Sequence, residues 1–290
     1  MERTIDAAAV IIVGQATMTK NSIGDPGVKT PSGQVFRGRA IRDQQRQILR
    51  RALAAIGHPQ GSGPLACVFD LDSTLLDNRP RQARIVREFA EAAGQTRLRD
   101  CTPERIVSWD LRDTARLCGY SADEAESIYP AFKEFWRSRF FTSDYCADDA
   151  PIAGAGEFLK AVLGAGGRII YVTGRHVGMG EGTVESFRRA GFPLPHWPLG
   201  PGQPVSAETV QLWLKPDPAG DDDLWKETCH AALAEARGIA AAFDNEPTHV
   251  NAYKRRFADA AVIHLDTDHS GRAVPVLESI PSIIDFSLET

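Results

Sequence analysis

The chain has 290 residues, 43% hydrophobic and 24% charged, and its 33 Lys and Arg against 38 Asp and Glu give a formal charge of −5. These are ordinary values for a globular protein with a sizeable core, so disordered and fibrous classes are excluded, and the length suits two domains or one with a large insertion. The mild acidity argues against bulk electrostatic binding to duplex nucleic acid, which normally shows as a basic excess.

Residues 1–63 read as an N-terminal extension carrying one helix. Its charge-free apolar run, Ala7 to Val13, is well short of the roughly 20 residues that cross a bilayer. Glu2 and Asp6 stand where a signal peptide would be basic. No membrane span and no leader are therefore expected. Gly24 to Thr30 narrowly misses a phosphate-binding loop, because Val28 replaces the glycine before Lys29 and no strand leads into it. A helix is predicted from Ala40 to Ile56, with Ile41, Ile48, Leu49, Ala52, Leu53 and Ile56 near one face and Arg42, Arg46 and Arg50 on a solvated one. Gly57 and Pro59 end it, and Gly61 to Pro64 reads as a joint.

Four short apolar runs, Leu65–Phe69, Ile169–Val172, Ile239–Phe243 and Ala261–Leu265, have the continuous character of buried parallel strands. Helical stretches precede the second and third: Glu157–Leu163, stopped by Gly164, and Leu224–Arg237, stopped by Gly238. The alternation predicts an α/β fold, a doubly wound parallel sheet with right-handed crossovers, formed by residues 64–76 and 151–290. Residues 77–150 read as a helical cap inserted after the first strand. In it Thr102-Pro103-Glu104 marks a helix start, and Ser121 with Glu124 has capping-box spacing. Ala125, Ile128, Tyr129, Phe132, Phe135 and Trp136 follow at helical spacing, with Pro130 expected to split the segment. This stripe reads as cap core, leaving one or two aromatics to face a substrate. The five cysteines (Cys67, Cys101, Cys118, Cys146, Cys229) are odd in number and lack a CxxC pair, so neither disulfides nor zinc are signalled and a reducing cytoplasm is expected.

In open α/β sheets reactive groups gather beyond the carboxyl ends of the strands. Here the first run ends in Asp70-Leu71-Asp72-Ser73-Thr74, the second in Thr173-Gly174-Arg175 and the third in Asp244-Asn245-Glu246-Pro247, and Lys226 opens the helix before the third. His264, Asp266, Asp268 and His269 read as a polar turn after the last strand, with Asp266 near the crevice rim.

In this order the set resembles the haloacid dehalogenase (HAD) superfamily of phosphohydrolases, whose first motif is an apolar strand followed by Asp-x-Asp-x-Thr. The resemblance covers about residues 64 to 270 and is fully matched in the first motif by Asp70, Asp72 and Thr74. It implies a Rossmann-like core and a magnesium-dependent phosphatase that hydrolyses a small phosphomonoester through an aspartyl-phosphate. Asp70 would be the nucleophile and Asp72 the general acid and base, while Thr173 and Lys226 would hold phosphoryl oxygens. Thr74, Gly174, Arg175 and Lys215 would complete the substrate site. Magnesium would take the Asp70 carboxylate, the Asp72 carbonyl and Asp244, with Asn245 placing a metal-bound water. Lys215 competes with Lys226, which is preferred because its helix leads directly into the Asp244 strand. The last motif departs from the family, whose second acid falls where this chain has Asn245 or Thr248; Glu246 is a less favoured ligand. The dehalogenase branch lacks the second aspartate, so Asp72 favours phosphoryl chemistry. The partner expected is a small phosphorylated substrate, without membrane or nucleic acid. Two alternatives stay open: a phosphotransferase on the same core, and a nucleic-acid end-processing or binding protein using Arg42, Arg46 and Arg50.

Overall fold

The computed structural model describes residues 38–56, 65–196, 209–235 and 239–288, with the backbone of 28–29 and 35–36. Most of the 24–30 run, the joint at 57–64 and the stop at Gly238 lie outside the described residues.

Strands β1 (Val28–Lys29) and β2 (Val35–Phe36) pair antiparallel ahead of helix α1 (Arg42–Ile56). Next come β3 (Ala66–Phe69) and β4 (Leu76–Asp77), then the helices α2 (Arg79–Ala92), α3 (Leu111–Leu117), α4 (Ala122–Phe140) and α5 (Ser143–Cys146). The chain returns through β5 (Ala150–Pro151), α6 (Ala155–Gly164), β6 (Arg168–His176), α7 (Gly180–Ala190) and β7 (Val210–Lys215). It closes with α8 (Asp222–Glu235), β8 (Ile239–Asp244), α9 (Pro247–Arg256), β9 (Ala261–Leu265) and β10 (Ser282–Ile283).

Six parallel strands in the order β10-β9-β8-β3-β6-β7 form the sheet. Successive residues of a strand face opposite sides, and both sides are covered. Cys67, Phe69, Ile169, Tyr171 and Phe243 enter one apolar layer beneath α1, α6 and α7. Val68, Ile170, Val172 and Ala242 enter the other beneath α8 and α9. This double coverage explains why these strands are continuously apolar in sequence.

Helix α1 belongs to the first layer, since Leu49, Ala52 and Ile56 are buried in it. Asp266 fixes its start by accepting from the N–H groups of Arg39 and Ala40 at 2.7 and 2.8 Å. Gln45 fixes its side by accepting from Ile284 N at 3.0 Å. Arg42, Arg46 and Arg50 are exposed.

Three local expectations change. Helix α4 runs unbroken through Pro130; proline removes one i to i−4 bond, and the capping box of Ser121 and Glu124 together with burial of Ala125 and Phe132 holds both halves in line. Pro103 starts a single 3₁₀ turn, Pro103–Arg105, rather than a helix. The sheet also gains β7, whose Val-Gln-Leu-Trp-Leu-Lys is fully buried; Gln211 interrupts the apolar run yet is satisfied by accepting from Trp213 Nε1 at 3.0 Å.

Antiparallel β4 and β5, with Leu76 opposite Pro151, bring the two ends of the insertion together at the sheet. Just beyond, Gly154 sits at φ 73°, and a Cβ there would lie 2.5 Å from the backbone carbon of Phe286. Gly154→Ala is expected to cost at least about 1–3 kcal/mol, from the left-handed backbone alone, read as a lower urea midpoint with an unchanged slope.

Candidate active site

Strands β3 and β8 pair with Phe69 opposite Phe243. Their rings stack at 4.8 Å, and Asp70 N donates to Phe243 O at 2.9 Å. The next residue of each strand, Asp70 and Asp244, therefore emerges beside the other at the carboxyl edge. Lys226, 2% exposed on α8, donates to Asp70 Oδ1 at 2.8 Å, Asp244 Oδ2 at 2.8 Å and Val172 O at 3.1 Å. An ammonium has three donors, so all three are used. Thr74 Oγ1 lies 3.1 Å from both Asp70 Oδ2 and Asn245 Oδ1. Asp244 Oδ1 accepts from Glu246 N at 2.9 Å and faces His249 Nδ1 at 3.3 Å.

A second ion group adjoins the first. Asp72 Oδ1 accepts from Arg81 and Arg175, both at 2.7 Å, and its Oδ2 accepts from Arg175 Nε at 2.9 Å. Asp149, with a fully buried side chain, pairs with Arg175 at 2.5 Å and with Arg81 at 3.0 Å, the latter at an angle too poor for a hydrogen bond. Arg81 and Asp149 come from opposite ends of the insertion and carried no sequence motif.

These partners split the two motif carboxyls. Burial pushes Asp70 up to about 6, Lys226 opposing it and Asp244 and Asp72 adding to it. Burial also works to raise Asp72, but the Arg175 and Arg81 guanidiniums overrule it and hold the carboxyl well below its usual range. Asp244 is lowered against the same burial cost by Lys226 and His249. His249 is raised, Asp244 outweighing the burial that would lower it. The resemblance calls for an ionised Asp70 and a protonated Asp72; above about pH 6 Asp70 is ionised, while the two guanidiniums favour the ionised form of Asp72 as well.

The other sequence candidates find distinct places. Thr173 is fully buried; its hydroxyl accepts from Arg175 N at 3.1 Å and its carbonyl from Trp225 Nε1 at 2.8 Å. Gly174 lines the crevice, where a Cβ would meet the Asp222 carboxylate at 2.8 Å. Lys215, expected to complete the substrate site, instead holds that carboxylate at 2.6 Å and Gly220 O at 2.7 Å and is not among the residues lining the crevice, whereas Lys226 is. His249, absent from the sequence candidates, bridges Asp244 to Asp223 Oδ1, 2.9 Å from its Nε2. Its signal was weak: one histidine on a helix after the last motif.

A cavity of about 340 Å³ opens above Asp70, Asp72, Lys226, Asp244 and Asn245. Among the residues lining it, Asp70, Asp244 and Asn245 offer side-chain oxygens, the ligand type that suits a hard cation completing its shell with water. Among the described residues no three His, Cys, Asp or Glu side chains gather to hold a metal alone. Nor is any described helix long and apolar enough to cross a membrane.

No family model and no curated protein matches the chain. Solved structures similar to it include Protein Tyrosine Kinase A of Mycobacterium tuberculosis (17% identity, TM-score 0.45, over 77% of this chain and 94% of that one). CbbY from Rhodobacter sphaeroides in complex with phosphate is similar at 18% identity and TM-score 0.42, over 76% and 94%. The Class C acid phosphatase from Bacillus anthracis with tungstate bound is similar at 15% and 0.37, over 74% and 75%. These are likenesses of chain path, and the reading of the site rests on its own residues. In the order and strand-end placement of those residues the chain resembles the HAD superfamily.

Arg81→Ala is expected to cost about 3–5 kcal/mol, because it leaves a buried carboxylate short of a partner. Urea unfolding at neutral pH measures the loss, and Arg81→Lys restores little of it, since an ammonium cannot reproduce the planar fork.

Proposed function

We propose that the protein is a magnesium-dependent phosphatase that hydrolyses a small phosphomonoester through an aspartyl-phosphate on Asp70. The observation that carries this is the Asp70 carboxylate at the end of β3, facing the cavity between Lys226 and Thr74 and beside Asp244.

The two ion groups hold four carboxylates (Asp70, Asp72, Asp149, Asp244) against three permanent cations (Lys226, Arg81, Arg175) and His249, whose proton Asp244 favours. A phosphate ester approaching these carboxylates is repelled by each of them, and a further cation beside Asp70 and Asp244 would offset that repulsion. Magnesium held by Asp70, Asp244, Asn245 and the Asp72 carbonyl would supply that charge and polarise the phosphoryl oxygens.

The chain's own groups divide the remaining work. Lys226 orients Asp70 through Oδ1. A carboxylate oxygen of Asp70 forms the new bond to phosphorus as the bond to the leaving oxygen breaks, and that oxygen takes the electron pair and a proton from Asp72. Asp72 then takes a proton from the water that attacks the aspartyl-phosphate, regenerating Asp70 and releasing phosphate. Asp72 can carry the first proton only if its arginine contacts loosen. Arg81 lies on the cap helix α2, so displacement of that helix changes the charge beside Asp72. The cavity's size, near the lower end of small-molecule sites, favours a small ester over a phosphoprotein or polynucleotide.

Wild-type protein with magnesium is expected to release inorganic phosphate from an aryl phosphate. EDTA abolishes this, and Asp70→Asn lowers kcat/KM at least about a thousandfold, as loss of a nucleophile does. Activity surviving in Asp70→Asn overturns the proposal.

The pH profile gives an independent check. Protonation removes the nucleophile, so with Asp70 pushed up to about 6 by burial, kcat/KM at limiting magnesium falls as pH drops through that region. Saturating magnesium favours the ionised carboxyl and moves this acid limb to lower pH.

A further inference from the structure

The cap side of the cavity is formed by four aromatic rings, Trp109, Trp136, Phe140 and Phe141. Trp136 and Phe140 stack at 4.4 Å and 17°, while Trp109 meets Phe140 edge-on at 5.5 Å. Phe141 stands edge-on to Trp136 and Phe140 at 5.6 and 5.1 Å. The apolar core of the cap is a separate cluster around Phe89 and Phe132, and Trp136 alone of the four packs on its rim. Phe141 is 45% exposed, and Trp109 and Trp136 are half-buried. Phe140 is buried behind them at 3% exposure, so Trp109, Trp136 and Phe141 are the rings that present surface to the crevice.

The wall is anchored to the core. His176 takes the Gly178 N–H at Nδ1, 3.1 Å away, and donates from Nε2 to Phe141 O at 3.0 Å. Gly182 N donates to Ser143 Oγ at 2.7 Å, and a Cβ on Gly182 would lie 2.0 Å from Ser143 O. The guanidinium of Arg81 lies 3.9 Å from the Phe140 ring centre while donating to Asp72 Oδ1. The wall thus adjoins the carboxyl placed to serve the leaving oxygen, and whatever is bonded to that oxygen meets the rings. Against these rings a flat aromatic group gains both apolar burial and offset or edge-on aromatic contact.

We propose that the site selects phosphomonoesters whose leaving group is a flat aromatic ring, held against Trp136 and Phe141. This rests on the phosphatase reading of the same site.

Binding to Asp70→Asn protein with magnesium tests the inference without turnover, comparing 1-naphthyl phosphate with propyl phosphate by calorimetry. The naphthyl ester is expected to bind at least about tenfold more tightly, the factor that about 1.4 kcal/mol supplies. That ratio falls below about threefold when Phe141→Ala or Trp136→Ala is added to Asp70→Asn, and Trp136→Phe preserves it. Because Phe141 is exposed, its variant is expected to fold, and a thermal melt checks this. Equal affinities, or no binding of the naphthyl ester, overturn the inference. Phosphate release by the unsubstituted enzyme reports separately on the phosphatase reading: release of phosphate with no aromatic preference sinks only the inference, and preference without release sinks only the phosphatase.

Discussion

The ammonium of Lys226 is the constraint on which the site depends. A lone cation at 2% exposure would be prohibitively desolvated, and so would the Asp70 and Asp244 carboxylates. Together they satisfy one another, and in doing so they tie the end of β3, the end of β8 and Val172 O of β6 to one atom on α8. The neighbouring Trp225 adds a bond to Thr173 O. One helical turn therefore sets the spacing of three strand ends, and the crevice inherits the rigidity of the sheet. Removing Lys226 would leave two buried carboxylates uncompensated, so the pair depends on that one ammonium.

Beside it, the Asp72 group solves a different problem. Two carboxyls two residues apart would titrate alike if their surroundings were alike; here one meets burial and neighbouring carboxylates, the other two guanidiniums. The guanidiniums favour the ionised form of Asp72, whereas the proposed reaction needs it protonated. A cation at Asp70 favours its ionised form, and loss of a guanidinium favours proton uptake by Asp72. Both changes act in the direction the chemistry needs.

Much of this was legible in the sequence because its signals are local. Buried parallel strands read as apolar runs and their polar ends mark the crevice, which makes Asp70, Asp72 and Asp244 legible, while Lys226 is legible from its place on the helix that leads into the Asp244 strand. Strand β7 escaped because Gln211 and Lys215 break its run, and their partners are visible only in three dimensions. Arg81 looked like any of several arginines on an amphipathic helix beside Arg79, Arg84 and Arg87, and Asp149 carried no motif at all. Their role comes from burial against distant residues, which no spacing rule encodes. The aromatic stripe of α4 was legible as helix, and Phe140 continues it four residues after Trp136, but Phe141 lies just past the helix end.

The insertion is therefore more than a cover. Its two ends meet in β4 and β5 and send Arg81 and Asp149 into the charge group around Asp72. The same Arg81 lies over Phe140, so one guanidinium touches the aromatic wall and the motif carboxylate together. A ligand that moved the wall would displace a charge beside Asp72, and neutralising Asp72 would loosen a contact that holds the wall. Linkage makes these two effects equal in free energy. In the proposed reaction, recognition of the leaving group and protonation of its oxygen would thus be coupled through Arg81.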